Sequence, residues 1–410
     1  MSFKCEFKIF VSFLPEREIM MKSNSKRFCL ILNDAFSMVQ FRGGLIKALV
    51  RGGHAVTVVV PPAGHFRASL VGLGAEVIEI PMERFITPWD DLVLCVRLVK
   101  LFISRHFDVV HTMTLKPNLY AAPIARLLRV PCVVGLVSGS GYLFSASGRA
   151  DHPFLARLVA AALRLSFRAA KRVWFQNPDD RDAFVRDKLI PRDKCVVIRG
   201  GGIDVVEFHP DICTAELKAR KRSEFGLPID CGIVLMVAAR RIVAKGVREF
   251  AQAAAQVLPS RPNWRFLMIA PDDPGTPDNV KADDAIFKVA GLVSPAGFRD
   301  DIRDIVAASD IITLPSYYQE GLPRFLLEGM ACGKPIVTTD HTGCRETVVP
   351  EKNGFLVPPR EHHALAEALA RLMDDEQLRL DLGYGSRALC KSEFSETLVC
   401  NRILKEVYAL

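Results

Sequence analysis

Short apolar runs alternate with amphipathic segments along the first half of the chain. The runs consist mostly of Val, Leu, Ile and Phe, which is typical of parallel strands buried on both faces. They predict strands at Phe28–Leu32, Val56–Val60, Val77–Ile80, Val109–His111, Cys132–Leu136 and Val173–Gln176. Helices are expected over Phe41–Arg51 and Leu92–Ser104. Strands that alternate with helices predict right-handed crossovers and a doubly wound parallel sheet.

The second half of the chain repeats this plan. Strands are predicted at Ile233–Ala238, Phe266–Ala270, Ile311–Leu314, Ile336–Thr339 and Phe355–Val357. Helices are predicted over Val247–Val257, Ala285–Ala290, Ile302–Ser309, Arg324–Ala331, Glu361–Asp374 and Asp375–Ala388. Two such α/β domains would face each other across a cleft, where ligands bind outside the carboxyl ends of the strands.

Glycine and proline punctuate the stretch between Gly200 and Pro228, which predicts a domain boundary there. We expect residues 1–25 to be an extension, with Met20 or Met21 as an alternative start. The remaining chain divides into a Rossmann-like domain over 26–205, a second over 206–390, and a C-terminal helix over 391–410 that packs back on the first domain.

Composition and charge exclude several classes of protein. Half of the residues are hydrophobic and no Lys/Arg-dense block occurs, which indicates a globular protein that binds no nucleic acid. The formal net charge of +8 favours a phosphate-rich ligand or an anionic membrane, or else serves solubility alone. The eleven cysteines include no C-x-x-C pair, which predicts reduced thiols in a cytoplasmic protein.

The segment SYYQEGLPRFLLEGMACGKPIVTTDHTGCRE, residues 316–346, carries the strongest chemical signal. Glu320 lies in a loop after a predicted strand, and Glu328 lies inside the next helix. Gly321, Leu322 and Pro323 lead into that helix, whose free amides would hold anionic oxygens. Glu320 is placed to accept hydrogen bonds from sugar hydroxyls and Glu328 to hold both hydroxyls of a ribose. Taken singly, each would be an ordinary solvated glutamate.

A second segment, AARRIVAKGVREF, follows another predicted strand and contains Arg240 and Lys245. A nucleoside diphosphate gains negative charge as its glycosidic bond breaks, and either a divalent metal or fixed cations must stabilise it. Arginine can hold phosphate oxygens bidentately, while lysine acts as a point charge. The alternative is a solvated basic loop.

Together these segments resemble glycosyltransferase family 4, whose signature is a pair of glutamates separated by seven residues. The flanking GLPR, LLEGMACGKPI and GCRE resemble the bacterial branch that assembles capsule, O-antigen or glycoprotein oligosaccharides on a polyprenyl diphosphate. The resemblance implies the two-domain GT-B fold and retaining transfer without a metal or other cofactor. It assigns catalysis to Glu320, Arg240 and Lys245. It assigns donor binding to Glu328, Gly321, Leu322, Pro323 and Gly202.

The same resemblance assigns the acceptor to the N-terminal domain. The segment HTMTLKPNLYAA begins with His111 at a strand end and contains Lys116 and Asn118, like the family's acceptor-side loop. Arg42, near the start of the first predicted helix, is placed to meet the acceptor diphosphate, although a surface arginine is the alternative. The segment LVSGSGYLF lacks the histidine that many relatives have there.

The segment from His152 to Arg172 combines apolar residues at helical spacing with five arginines and lysines. Such a helix either packs on its own sheet or lies in a membrane interface. A lipid-linked acceptor favours the membrane.

We therefore expect an enzyme that moves a hexose or N-acetylhexosamine from a nucleotide sugar, a UDP-sugar being favoured, to a polyprenyl-diphosphate-linked saccharide. The expected location is the cytoplasm, with contact to the inner membrane surface. A sugar-nucleotide epimerase of the same fold, which needs no acceptor, is the alternative. An oxidoreductase would show G-x-G-x-x-G after the first strand, where NDAFSMVQFRGG stands instead.

Overall fold

A computed structural model of the protein describes residues 25–83, 87–139, 153–276, 278–295 and 297–410. The strands of its N-terminal sheet are β1 (Arg27–Ile31), β2 (Ala55–Val60), β3 (Glu76–Glu79), β4 (Val109–Met113), β5 (Cys132–Val137), β6 (Arg172–Phe175) and β7 (Cys195–Val197). They lie side by side in the order β3-β2-β1-β4-β5-β6-β7, and each neighbouring pair is parallel.

A second parallel sheet is built from the C-terminal half. Its strands are β8 (Gly232–Val237), β9 (Trp264–Ile269), β10 (Leu292–Val293), β11 (Ile311–Leu314), β12 (Ile336–Thr339) and β13 (Gly354–Val357). The spatial order is β10-β9-β8-β11-β12-β13. In both sheets the order reverses beside the first strand, so both have the doubly wound α/β architecture that the sequence predicts.

Helices connect the strands. In the N-terminal half they are α1 (Ala35–Arg51), α2 (Phe66–Gly72), α3 (Pro88–Ser104), α4 (Leu115–Leu127), α5 (Pro153–Ala169) and α6 (Pro178–Arg186). Those that follow are α7 (Ala215–Glu224), α8 (Val247–Val257), α9 (Ile302–Ala308), α10 (Arg324–Ala331), α11 (His362–Asp374), α12 (Glu376–Leu389) and α13 (Glu396–Arg402). Each helix in the described ranges is too short or too polar to traverse a bilayer.

Three predicted elements differ most from the structure. Helix α1 begins at Ala35 instead of Phe41, because the Asp34 side chain caps it by accepting a hydrogen bond from Ser37 N at 2.8 Å. The segment expected to be an acceptor-side loop forms the end of β4 and the first part of α4. The predicted helix over 285–290 is only a short 3₁₀ turn at Ala285–Phe287.

Helices α3, α4 and α5 form one layer over the N-terminal sheet. Right-handed crossovers place α1 and α2 on one face of this sheet and α3, α4 and α5 on the other, since the strand order reverses after β3. Buried side chains confirm the layer, because Leu98 of α3 packs in one cluster with Ala122 of α4. Leu119 of α4 packs in another with Leu163 of α5. The opposite sides of these three helices therefore face outward together.

The C-terminal segment packs on the N-terminal sheet. Cys400, Val407 and Tyr408 share a buried cluster with Phe28 of β1. Tyr408 also forms a hydrogen bond of 2.6 Å between its hydroxyl and His111 Nδ1, and both side chains are buried. Burial lowers the pKa of His111 to about 3, so the ring is neutral at physiological pH.

We expect Tyr408→Phe to lower the free energy of unfolding by about 1–2 kcal/mol, because a buried ring nitrogen loses its partner. Urea denaturation followed by circular dichroism measures the change. Tyr384→Phe is the matched control, since Tyr384 is 74% exposed on α12. Equal unfolding free energies for the two variants would show that the buried bond adds nothing to stability.

Candidate active site

The loops after β8 and β11 carry the residues predicted to act on the donor. These two strands are neighbours, and their carboxyl ends meet at the same edge of the sheet. The loops are joined directly, because Tyr317 N donates a hydrogen bond of 2.9 Å to the carbonyl of Ala244. Gly246 ends the first loop in a left-handed conformation (φ 79°), and α8 begins at the next residue. Adjacent strands therefore bring together residues that are about 75 positions apart.

Lys245, Glu320 and Arg240 form one cluster at this edge. Lys245 Nζ is paired with the Glu320 carboxylate, which also accepts a hydrogen bond of 3.0 Å from Ser316 Oγ. Arg240 lies 3.6 Å from the Asp273 carboxylate. Both cations lie over the Tyr318 ring, Arg240 at 5.3 Å and Lys245 at 5.2 Å from its centroid. The structure thus assembles all three predicted catalytic side chains, with charge balanced by nearby carboxylates.

Glu328 lies on α10, nine-tenths buried, and is paired with Arg324 one turn earlier. The Arg324 Nε to Glu328 Oε1 distance is 2.9 Å. Burial raises the pKa of Glu328, and the Arg324 guanidinium opposes that rise. Arg324 also donates to the carbonyl of Gln40 on α1, so it joins α10 to the N-terminal domain. Arg324 is not among the site residues predicted from the sequence, although its i,i+4 spacing from Glu328 indicates a pair.

Gly321 lies where the two domains touch. A Cβ atom at Gly321 would lie 2.8 Å from the Ser138 carbonyl carbon and would overlap Gln176 Oε1. Asn177 Nδ2 donates to the carbonyl of Gly321 at 2.8 Å. Only glycine allows this approach, so the loop before α10 is held against the loops after β5 and β6. This contact joins the C-terminal half of the chain to the N-terminal sheet.

Leu322 and Pro323 complete the entry to α10. The Leu322 side chain packs against Gly200, and Pro323 immediately precedes the first residue of the helix. The predicted start of this helix is confirmed to within one residue. The side chain of Leu322 therefore packs in the protein, and contact of this segment with the donor stays a prediction.

Gly202 lies against the C-terminal segment. It adopts φ 81°, and a Cβ atom there would lie 2.7 Å from the Cα of Glu396. The backbone N–H of its neighbour Ile203 donates a hydrogen bond of 2.9 Å to the carbonyl of Phe394. The glycine is required for the close approach of the C-terminal segment, and its contact with the donor stays a prediction.

His111, Lys116 and Asn118 are buried inside the N-terminal domain. Lys116 Nζ pairs with Asp91 Oδ1 at 2.6 Å, and its side chain is 2% exposed. The Asn118 amide oxygen accepts a hydrogen bond of 2.7 Å from Thr112 Oγ1. The segment that carries these side chains forms a strand end and a helix instead of a loop, and all three side chains pack inside the domain. The geometry therefore gives all three a role in packing and does not support their predicted contact with the acceptor.

Arg42 is also buried, but it has a different environment. Its guanidinium lies 5.0 Å from the centroid of the Trp174 ring, and Nη1 donates to the Phe41 carbonyl at 2.8 Å. Nε has no hydrogen-bond partner among the described residues. Burial lowers the pKa of Arg42 to about 10, which still leaves it charged at neutral pH. Its contact with an acceptor stays a prediction.

Comparisons with known proteins match both halves of the chain. Residues 38–201 match the family described as "Glycosyl transferase 4-like domain", and residues 232–375 match "Glycosyl transferases group 1". The chain is 30% identical over 376 residues to N,N'-diacetylbacillosaminyl-diphospho-undecaprenol alpha-1,3-N-acetylgalactosaminyltransferase of Campylobacter jejuni, covering 90% of this chain and 95% of that protein. It is 27% identical over 299 residues to the Escherichia coli UDP-Gal:alpha-D-GlcNAc-diphosphoundecaprenol alpha-1,3-galactosyltransferase, covering 71% and 72% of the two chains.

Solved structures share the fold. Anabaena HepE in complex with UDP and glucose has a TM-score of 0.78 at 20% identity, covering 94% of this chain and all of that one. A glycosyltransferase of Rickettsia africae has a TM-score of 0.75 at 19% identity, covering 94% and 98%. With both domains matched in sequence and the two parallel sheets matched in structure, the chain belongs to glycosyltransferase family 4 and is a glycosyltransferase with the GT-B fold.

Proposed function

We propose that the enzyme transfers a hexose or N-acetylhexosamine from a UDP-sugar to a saccharide on polyprenyl diphosphate, with retention at the anomeric carbon. The observation that carries this proposal is the convergence of Arg240, Lys245 and Glu320 on one edge of the C-terminal sheet. The two relatives compared by sequence support the acceptor class, because both are named for undecaprenol-linked diphosphate sugars. The bacterial envelope glycans of the wider branch, capsule and O-antigen, are the corresponding product classes.

The two cations would stabilise the leaving diphosphate. As the bond from the anomeric carbon to the phosphate oxygen breaks, negative charge grows on that oxygen, and Arg240 and Lys245 are only 23% and 12% exposed. Fixed cations in a partly desolvated site stabilise such charge strongly. The diphosphate would compete with Glu320 for Lys245. This competition would free the carboxylate to accept a hydrogen bond from a sugar hydroxyl.

The acceptor hydroxyl would attack from the face that the diphosphate leaves. Its oxygen forms the new bond to the anomeric carbon, and its proton passes to the departing phosphate oxygen, so UDP leaves with that proton. No protein base is required in this step. Attack and departure on one face retain the anomeric configuration.

We propose that these cations replace a divalent metal, and we expect sugar transfer to continue in excess EDTA. A nucleotide-release assay with and without the chelator measures this. Activity lost in EDTA and restored by Mg²⁺ or Mn²⁺ would contradict the proposed role of Arg240 and Lys245.

A panel of UDP- and GDP-sugars with polyprenyl-diphosphate-linked acceptors tests the substrate proposal. We expect rapid UDP release only when a UDP-sugar and an acceptor are both present. The epimerase alternative predicts an isomerised UDP-sugar without any acceptor, which NMR of the nucleotide sugar would detect. The named relatives are transferases, which favours transfer over isomerisation.

A further inference from the structure

Helix α3 has two apolar faces, of which only one is buried. Leu94, Leu98 and Leu101 face the sheet. On the opposite face a second apolar stripe is exposed to solvent, with the i, i+3, i+4, i+7 spacing of one helix surface: Trp89, Leu92, Val93, Val96 and Ile103. Trp89 at its start is 81% exposed. A helix face that contacts only water is ordinarily polar. The exposed apolar stripe of α3 departs from that pattern.

The neighbouring helices continue this exposed apolar surface. The predicted amphipathic segment forms α5, where Val159, Leu163 and Ser166 are buried against the domain. Its outer side exposes a stripe that begins at Phe154, which is 79% exposed, and continues with Leu158 and Leu165. We call the outward surface of α3, α4 and α5 the outer helix face. Because these helices form one layer, its stripes lie on the same side of the protein.

The outer helix face is also cationic. The exposed basic residues on its three helices are Arg97, Lys100, Arg126, Arg157 and Arg168. None of them forms an ion pair with a carboxylate in the described part of the chain. Asp90 is the exposed acid on the described residues of these helices, whereas Asp91 is buried. Apolar side chains and cations therefore share one surface.

We infer that the outer helix face docks on an anionic lipid bilayer, with Trp89 and Phe154 inserted at the headgroup boundary. Apolar stripes flanked by Lys and Arg are the pattern of helices that lie in a membrane interface, and tryptophan favours that depth. Anionic headgroups attract the cations, while a second copy of the chain would present the same positive charges and repel them. The inference rests on the proposed lipid-linked acceptor, which this docking brings within reach.

Tryptophan fluorescence with vesicles tests the docking without any sugar chemistry. The chain has three tryptophans, and Trp174 and Trp264 are buried, so a change on binding reports Trp89. We expect a blue shift with vesicles of phosphatidylglycerol and phosphatidylethanolamine, and little change with phosphatidylcholine alone. Trp89→Phe should bind the anionic vesicles without the shift. Added salt should weaken the binding.

Vesicle co-sedimentation of Trp89→Glu/Phe154→Glu gives the decisive comparison. We expect binding to phosphatidylglycerol vesicles to fall by at least about tenfold, since two inserted apolar groups become anions. Ile229→Glu is the matched control, because Ile229 is 70% exposed in the C-terminal half. Unchanged vesicle binding in the double variant would overturn the inference. Self-association that the double variant abolishes, without vesicle binding by the wild type, would also overturn it.

Transfer to a short-chain, water-soluble acceptor diphosphate separates this inference from the proposed function. The double variant should transfer sugar to that acceptor at the wild-type rate. It should be slow only with a long-chain acceptor embedded in vesicles. If no variant or wild-type protein transfers sugar to either acceptor, the proposed function fails while the vesicle-binding result stands on its own.

Discussion

Lys245→Ala is expected to lower the rate of sugar transfer by about 10²–10³-fold, the usual loss when one group that stabilises transition-state charge is removed. Lys245 is paired with Glu320 and lies 5.2 Å from the centre of the Tyr318 ring, so its charge is held beside the carboxylate predicted to meet the sugar. Without the Lys245 charge, Arg240 would be the remaining cation of the pair proposed to stabilise the departing diphosphate. Steady-state nucleotide release should show the loss mainly in kcat.

Two further variants sharpen this test. Arg248→Ala removes a nearby exposed cation from the same segment, and transfer should stay close to the wild-type rate. Lys245→Arg keeps the charge and should retain more activity than alanine, although the planar guanidinium cannot reproduce a point charge. If Lys245→Ala and Arg248→Ala have equal rates, the lysine is not part of the catalytic cluster.

Glu328→Gln is expected to weaken UDP binding by about 10- to 100-fold, because a hydrogen bond to a charged group contributes ~1.5–3 kcal/mol. The carboxylate is nine-tenths buried and shares one oxygen with Arg324, which leaves the other for ribose hydroxyls. The wild type should also prefer UDP to its 2′-deoxy and 3′-deoxy analogues. The variant should lose that preference. Isothermal titration calorimetry with the three nucleotides measures both effects.

The pH dependence of UDP binding adds an independent readout. Burial raises the pKa of Glu328, so this carboxyl takes up a proton at a higher pH than an ordinary glutamate. A protonated carboxyl is a poorer acceptor, and wild-type UDP affinity should therefore fall as the pH drops through that pKa. The Glu328→Gln variant should lack this pH-dependent fall in UDP affinity. Glu367→Gln on the exposed side of α11 is the matched control, and a similar loss there would rule out a specific role for Glu328.

Periodicity predicted the second half of the molecule closely. The boundaries of α8, α10, β11 and β12 agree with their predicted ranges. Those segments have apolar positions at a clear helical or strand spacing, with Gly or Pro beside them. The errors lie elsewhere, in segments such as α4, most of which the family resemblance assigned to an acceptor-side loop. In the structure Pro117 lies in the first turn, where its missing amide proton costs no hydrogen bond, and tertiary packing tolerates Pro123.

Local sequence set the positions of the residues that are predicted to act on the donor. Glu320 and Glu328 lie in one strand-loop-helix unit, so their spacing along the chain sets their spacing in the fold. Arg240 and Lys245 lie in an equivalent loop after the neighbouring strand, and parallel pairing places such loops side by side. The geometry brings Arg240, Lys245 and Glu320 into one cluster, whereas Glu328 pairs with Arg324 on α10.

The acceptor-side residues and the outer helix face were decided only by tertiary structure. Whether His111 or Lys116 faces a ligand depends on partners far away in sequence, namely Tyr408 and Asp91, and no local pattern reports such partners. The two apolar stripes of α3 look alike in sequence, yet one packs on the sheet and the other faces outward. The sequence by itself determined the two-sheet fold and the loops that carry Arg240, Lys245 and Glu320, because both follow from local periodicity and short-range spacing. Pairing of neighbouring strands then brought Lys245 and Glu320 together. Burial and long-range pairing decided which of the remaining side chains are available to a substrate or a membrane.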